Sequence, residues 1–359
     1  MKRCIIQKIG VKIIFIIFLG LSLVLSGKSI PLARAEIVNI QLGTSKEGTQ
    51  GYASGVGVAA CIKKRLKDII MTAVPTPGST ASVKIFSQGG VDTAYASTWT
   101  LRDAYNNTGP FEKSPIENKP LQGWYYIPAD WIVIVEAGNE EINSLNDLKG
   151  KKFFPCAAGT GIHDVYRSVL IQLGLWDEIQ ARQIDMDAAA DALRAGTIDA
   201  VGAYTDSYGS TAPPWVRNLE SRMEIKIIVP SSEEQKRISE IVGLTAGKIS
   251  NQFMRPANQK INPTEPWAWS VHFGFHPGKH IPTEIMYNIY KTWIEYAEED
   301  LAPVNASLKE YSKNPLKIQT LAIEEAKDIP VHPGVAKYLK EKGVWEDDWK
   351  IGELNPGVE

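Results

Sequence analysis

Apolar and polar positions alternate from Ile37 to Leu42 and stop at Gly43-Thr44-Ser45, the pattern of a first strand and its loop. From Tyr52 to Lys67 small and apolar residues share one helical face. Lys63, Lys64, Arg65 and Lys67 gather at its end, where the helix dipole favours positive charge. Ile69–Val74 reads as a second strand, stopped by Pro75-Thr76-Pro77-Gly78. Ser79 or Thr80 can cap the next helix, which runs to about Gln88, and Asp92–Ala96 makes a third strand. This βαβαβ order predicts a parallel sheet with helices on both faces.

Trp131–Val135 is a continuous apolar run, expected to cross into a second lobe. Ser144–Gly150 reads as a short capped helix ending in glycine, Lys152–Pro155 as a strand, and Gly159-Thr160-Gly161 as the opening of a helix to Leu173. Ala188–Ala195 and Ala200–Tyr204 repeat the helix–strand unit, and Ile225–Val229 with a helix from Ser231 finish that lobe. From Trp267 to Phe275 bulky residues alternate with smaller or polar ones, which predicts a strand returning to the first lobe. Helices near 282–299, 306–326 and 333–342 complete the chain.

Two stretches about a hundred residues apart match. Ser87-Gln88-Gly89-Gly90-Val91-Asp92-Thr93-Ala94-Tyr95 and Arg194-Ala195-Gly196-Thr197-Ile198-Asp199-Ala200-Val201-Gly202 each read helix end, glycine turn, apolar residue, Asp, short strand. Each needs glycine for a left-handed cap. A polar cluster follows each, so the pair predicts two similar α/β lobes facing one another.

Composition changes the picture at the N-terminus. Lys2, Arg3, Lys8 and Lys12 flank an apolar run from Ile13 to Leu25, and Ala33-Arg34-Ala35 has the small-x-small form of a cleavage site. Residues 1–35 therefore read as a secretory signal peptide with Glu36 as first mature residue and a periplasmic destination. Of 39 basic and 41 acidic residues, six basic and no acidic ones fall in that segment, leaving 33 against 41. An acidic surface without basic clusters argues against nucleic acid and anionic lipid. The roughly 324 remaining residues exceed one ordinary core and suit two lobes. Cys61 falls in a first-lobe helix and Cys156 at a second-lobe strand end, so both are expected as buried free thiols.

In open parallel sheets, ligands bind beyond the carboxyl ends of the strands. Thr44 and Ser45 follow the first strand; Gly78, Ser79 and Thr80 the second; Ser97, Thr98 and Trp99 the third. Gly159, Thr160 and Gly161 face them from the second lobe, with Tyr204, Thr205 and Asp206 at a strand end. Ser79/Thr80 and Thr160/Gly161 each open a helix, whose free amides and positive dipole end suit a carboxylate. Asp206 fits either a ligand ammonium or a helix cap. Tyr52, Trp99 and Tyr204 could wall the ligand, although aromatics at strand ends are commonly core.

Other chemistry is thin. His272, His276 and His280 sit four apart, but Pro277 and two glycines forbid a helix, and on a strand His272 and His276 lie about 13 Å apart. No metal or cofactor is expected. The glycines of Gly55-Val56-Gly57 lie inside a helix, not at a strand end as a dinucleotide site requires. No nucleophile motif appears, so the chain is not read as an enzyme.

Several of these motifs fall in a familiar order. Gly43-Thr44 with Tyr52, Pro77-Gly78-Ser79, Gly90-Val91-Asp92-Thr93-Ala94, Leu145-x-x-Leu148-Lys149-Gly150-Lys151, Gly159-Thr160-Gly161, Ala192-Leu193-x-x-Gly196-x-Ile198-Asp199-Ala200 and Ile329-Pro330-Val331-His332-Pro333-Gly334-Val335-Ala336-Lys337-Tyr338 follow one another. The chain resembles the TAXI-type solute-binding subunits of tripartite ATP-independent periplasmic (TRAP) transporters. The resemblance implies a periplasmic-binding-protein-like α/β fold of type II, two doubly wound lobes joined by hinge strands. Lobe 1 would comprise 36–134 and 268–359, and lobe 2 residues 135–267. It also implies a monomeric receptor that delivers a small organic anion or amino acid, such as glutamate or glutamine, to TRAP membrane subunits. An ABC-importer subunit shares the fold and is the alternative, as is a ligand-sensing periplasmic protein. The first loop departs from the family's glycine and threonine run: Ser45-Lys46-Glu47-Gly48 brings a charged pair toward the cleft, and Trp99 is bulkier than usual.

Overall fold

The computed structural model describes residues 37–359; the signal-peptide reading lies outside them. Residues 38–359 form one compact unit. Among the described residues no helix is long and apolar enough to cross a membrane.

The first wing holds β1 (Val38–Gly43), α1 (Gln50–Arg65), β2 (Ile69–Val74), α2 (Ser79–Ser87), β3 (Thr93–Ser97) and α3 (Thr98–Asn106). A long strand, β4 (Trp124–Glu136), leads to the second. That wing has β5 (Lys152–Phe154), α4 (Gly161–Gln172), β6 (Gln180–Ala181), α5 (Ala189–Arg194), β7 (Ala200–Asp206), α6 (Pro214–Arg222), β8 (Ile225–Ile228), α7 (Ser232–Ser239), β9 (Thr245–Lys248) and α8 (Pro256–Ile261). A second long strand, β10 (Trp267–Pro277), returns. The chain ends with α9 (Thr283–Glu295), α10 (Ala306–Lys313), α11 (Pro315–Glu325) and α12 (Pro333–Glu341).

The strand order is β2-β1-β3-β10-β4-β7-β5-β6, with β8 on β4 and β9 on β10. Within each wing β1 pairs β2 and β3 in parallel, as β5 pairs β6 and β7. The long strands run antiparallel to their neighbours, and each serves both wings. β10 pairs β3 through residues 273–277 and β9 through 267–270. β4 pairs β10 through 124–131 and β7 through 129–134. Two doubly wound halves joined by crossing strands are the type II architecture that the motifs implied.

The matched glycine–aspartate units predict two similar lobes; the structure adds that the strands following them, β3 and β7, lie in one hydrogen-bonded network. The physical reason is the length of β4 and β10, which carry the ladder without a break from wing to wing. The units themselves are equivalent in detail. Gly89 and Gly196 both have positive φ, 77° and 63°. Asp92 accepts from Gln41 N and Asp199 from Lys152 N, each at 2.7 Å, so each carboxylate clamps the neighbouring strand.

Aromatic residues fill the seam beneath the crossing strands. Trp124, Trp131, Trp269 and Trp293 are fully buried, and Trp124 stacks on Tyr126 and Phe275 at 5.5 and 6.0 Å. A second node is polar. Buried Glu325 accepts from Thr98 Oγ1 at 2.6 Å and from the backbone N–H of His272 at 3.0 Å; Thr245 Oγ1 reaches it at 3.0 Å and His272 Nδ1 at 3.1 Å. It ties α11 to α3, β9 and β10. Several bounds differ from the sequence reading. The helix expected over 306–326 breaks at Asn314-Pro315, because proline cannot continue a helix it does not begin. Residues 144–150 hold only a 3₁₀ turn, Asn146–Leu148.

Candidate functional site

A cavity of about 670 Å³, its mouth included, opens between the wings. Its first side comes from the loop after β1 (Ser45, Lys46), the start of α1 (Thr49 to Gly51), the start of α2 (Pro77 to Ser79) and Tyr95 on β3. Its second side comes from Cys156, Thr160, Gly161, Ile162, Met186, Tyr204 and Asp206. The crossing strands supply the floor, with Tyr126, Ile127 and Ala129 from β4 and Phe273 from β10.

The positions follow from the local fold. Parallel strands β1, β2 and β5 all end at this gap, so the loops and helix starts that follow them converge there. α2 begins at Gly78 without a side-chain cap, leaving its first-turn amides open. α4 begins at Gly161, with Thr160 Oγ1 accepting from His163 N. The two helix starts meet closely: a Cβ added at Gly161 would have to displace Ser79 Oγ. Thr80 Oγ1 donates to Asp164 Oδ2 at 2.9 Å, joining α2 to α4 across the gap.

Aromatic and sulfur side chains form part of the walls. Tyr95 stacks on Phe273 at 5.6 Å, and its hydroxyl lies 3.4 Å from that of Tyr126. Cys156, in the left-handed region at φ 71°, sits 3.6 Å from Met186 Sδ. Cys61 and Cys156 are both free and buried, as expected. Burial pushes the Cys156 thiol up to about 12, so it stays protonated.

One carboxyl, Asp206, lines the cavity, and a second, Asp130, is buried near it. Asp130 on β4 accepts from Ser270 Oγ at 2.7 Å, Gly209 N at 3.1 Å and Thr205 Oγ1 at 3.2 Å. Burial nonetheless raises it to about 7. Asp206 on β7 is 1% exposed, and its Oδ1 has no partner. Burial first, and Asp130 second, hold it well above the usual carboxylate range.

The structure gathers half of the sequence-derived candidates on this cavity: Ser45, Gly78, Ser79, Thr160, Gly161, Tyr204 and Asp206. The others are placed elsewhere. Thr44 is buried with its hydroxyl on Val74 O. Ser97 caps α3 through Thr100 N, and Thr98 belongs to the Glu325 node. Trp99 packs into the core, and Thr80 spends its hydroxyl on Asp164. Tyr52 and Gly159 are off the wall. Of the charged pair in the first loop, Lys46 lines the cavity and Glu47 does not.

Sequence reasoning missed Gln50, Tyr95, Tyr126 and Phe273. The last three sit on strands whose apolar pattern is identical for core and cavity wall. Among the described residues no cluster of metal-ligating side chains is present. The three spaced histidines go to separate partners: His272 to Glu325, His276 to Ala96 O and His280 to Asp92. The His332-Pro333-Gly334 motif caps α12 and packs against α9, away from the cavity.

The sequence profile of the NMT1-like family matches residues 42–343. Among solved structures, the aliphatic sulphonate binding protein SsuA of Escherichia coli is 14% identical, with 84% of this chain and 83% of that chain covered and a TM-score of 0.41. The alkanesulfonate-binding protein SsuA of Xanthomonas axonopodis pv. citri, bound to MOPS, is 15% identical over 88% and 97% of the two chains, TM-score 0.42. A chain from Listeria monocytogenes described as an L-cystine ABC transporter is 15% identical over 77% and 95%, TM-score 0.43. At such identities and scores these neighbours assign neither a ligand nor a partner to this chain.

Proposed function

This chain belongs to the NMT1-like family, and from that premise we propose that it is an extracytoplasmic solute-binding protein. It takes a small carboxylated organic molecule between its wings and hands it to membrane transport subunits. The observation that carries this is the convergence of the α2 and α4 starts on one cavity floored by the crossing strands. Free first-turn amides and two positive dipole ends favour a carboxylate there without a basic side chain. The wings act as lobes 36–134 with 268–359 and 135–267, closing on the solute through contacts such as Thr80–Asp164.

Two transporter classes fit such a receptor. An ABC importer is the class named for the Listeria neighbour; a TRAP transporter is the class the motif order resembles. Uptake that stops on ATP depletion assigns the first, and uptake that stops when the ion gradient is collapsed assigns the second.

A thermal-shift screen of amino acids, dicarboxylates and aromatic acids tests the reading. A ligand at a hundred times its dissociation constant adds about 2.7 kcal/mol of stability. If no carboxylated compound raises the melting temperature, the proposal fails.

A further inference from the structure

Asp206 is the side chain in the cavity wall that the fold leaves unserved. Its Oδ2 receives one long contact, 3.5 Å from Ser307 Oγ, and its Oδ1 receives none. Asp130, equally buried, has three donors. Buried polar oxygens are nearly always hydrogen-bonded, so an orphan demands a partner. Asp206 lines the cavity, so the partner can arrive from outside.

The groups around Asp206 narrow what that partner is. Asp130 on β4, Tyr95 on β3, Tyr126 on β4 and Tyr204 on β7 face it, and none carries positive charge. The cation on the cavity wall, Lys46, lies on the exposed loop after β1. A sulfonate or a second carboxylate would offer Asp206 neither a hydrogen nor an opposite charge. A quaternary nitrogen would offer charge and no hydrogen. A nitrogen bearing N–H and a positive charge offers both. At the other part of the same cavity, the α2 and α4 starts offer the opposite complement.

Resting on the receptor reading, we propose that the solute is a zwitterion, an amino acid whose ammonium group is taken by Asp206 and whose carboxylate meets the α2 and α4 starts. Asp206 is then the residue that selects amino acids over their desamino analogues.

The test pairs each amino acid with the same skeleton lacking its nitrogen: L-glutamate with glutarate, L-leucine with 4-methylpentanoate, L-phenylalanine with 3-phenylpropionate. Calorimetry on the wild-type protein is expected to find an amino acid that binds at least tenfold more tightly than its partner. Asp206→Asn should lose at least tenfold in affinity for that amino acid. A desamino acid binding as tightly as its amino acid leaves the receptor standing and refutes the zwitterion. Unchanged amino-acid affinity in Asp206→Asn refutes it too. If neither series binds, the receptor reading falls, and this inference falls with it.

Discussion

Replacing Asp130 by Asn should make the protein more stable, and increasingly so as pH rises. Asp130 is wholly buried where β4, β10 and β7 meet, and burial lifts its carboxyl from 3.8 to about 7. A raised acid binds more protons folded than unfolded, so its contribution is complete below the unfolded value and is lost as pH climbs toward the folded one. The slope is about −1.4 kcal/mol per pH unit for one proton between those limits. From pH 5 to pH 8 the loss from a shift of this size accumulates to about 3 kcal/mol. Asparagine mimics the neutral acid: its oxygen can keep the Thr205 and Gly209 donors, and the Ser270 hydroxyl can turn to accept from its amide. Urea unfolding followed by tryptophan fluorescence at pH 5, 6.5 and 8, without ligand, measures the gap between variant and wild type. A gap that stays constant across that range would show that Asp130 is ionised in the folded protein throughout, and the burial argument would fail.

Two further outcomes follow from the placements of Trp99 and Cys156. Trp99→Ala empties a packed core position, 9% exposed, and should cost about 3–5 kcal/mol in a denaturant melt; a loss under 1 kcal/mol would mean that the indole is not core. Cys156 should resist a thiol reagent such as dithionitrobenzoate at pH 8 in the native state, because burial keeps it protonated. Rapid native labelling would show that the cavity wall opens far more widely than this structure indicates.

How much was legible in the sequence depends on which signal each element left. β2 was bounded correctly because Pro75 ends it, and the matched glycine caps were found because αL positions call for glycine. The first half of β4 was not. Trp124–Asp130 carries Pro128 and is buried on both sides, so it shows neither alternation nor the usual exclusion of proline from inner strands. β9 contains Ala246 and Gly247, residues with weak strand preference, and is held by pairing to β10. At the site, hydroxyls and glycines at helix starts were read well as a class. Yet Thr44, Ser97 and Thr98 show that a hydroxyl in the right loop is often already occupied by backbone or by a distant acid. Glu325 is 227 residues from Thr98, a separation that no local pattern reveals.

The unbroken ladder through β4 and β10 bears on how such a molecule can move. No flexible linker separates the halves there; paired strands do, with a bulge between Phe273 and Gly274 where the register slips. A bulge concentrates twist, and a side chain at Gly274 would strike the Trp124 carbonyl. In the receptor proposed above, a change of angle between the wings would have to twist two paired ribbons, most easily at that bulge, and the solute would work against a spring with a resting shape, not a disordered tether.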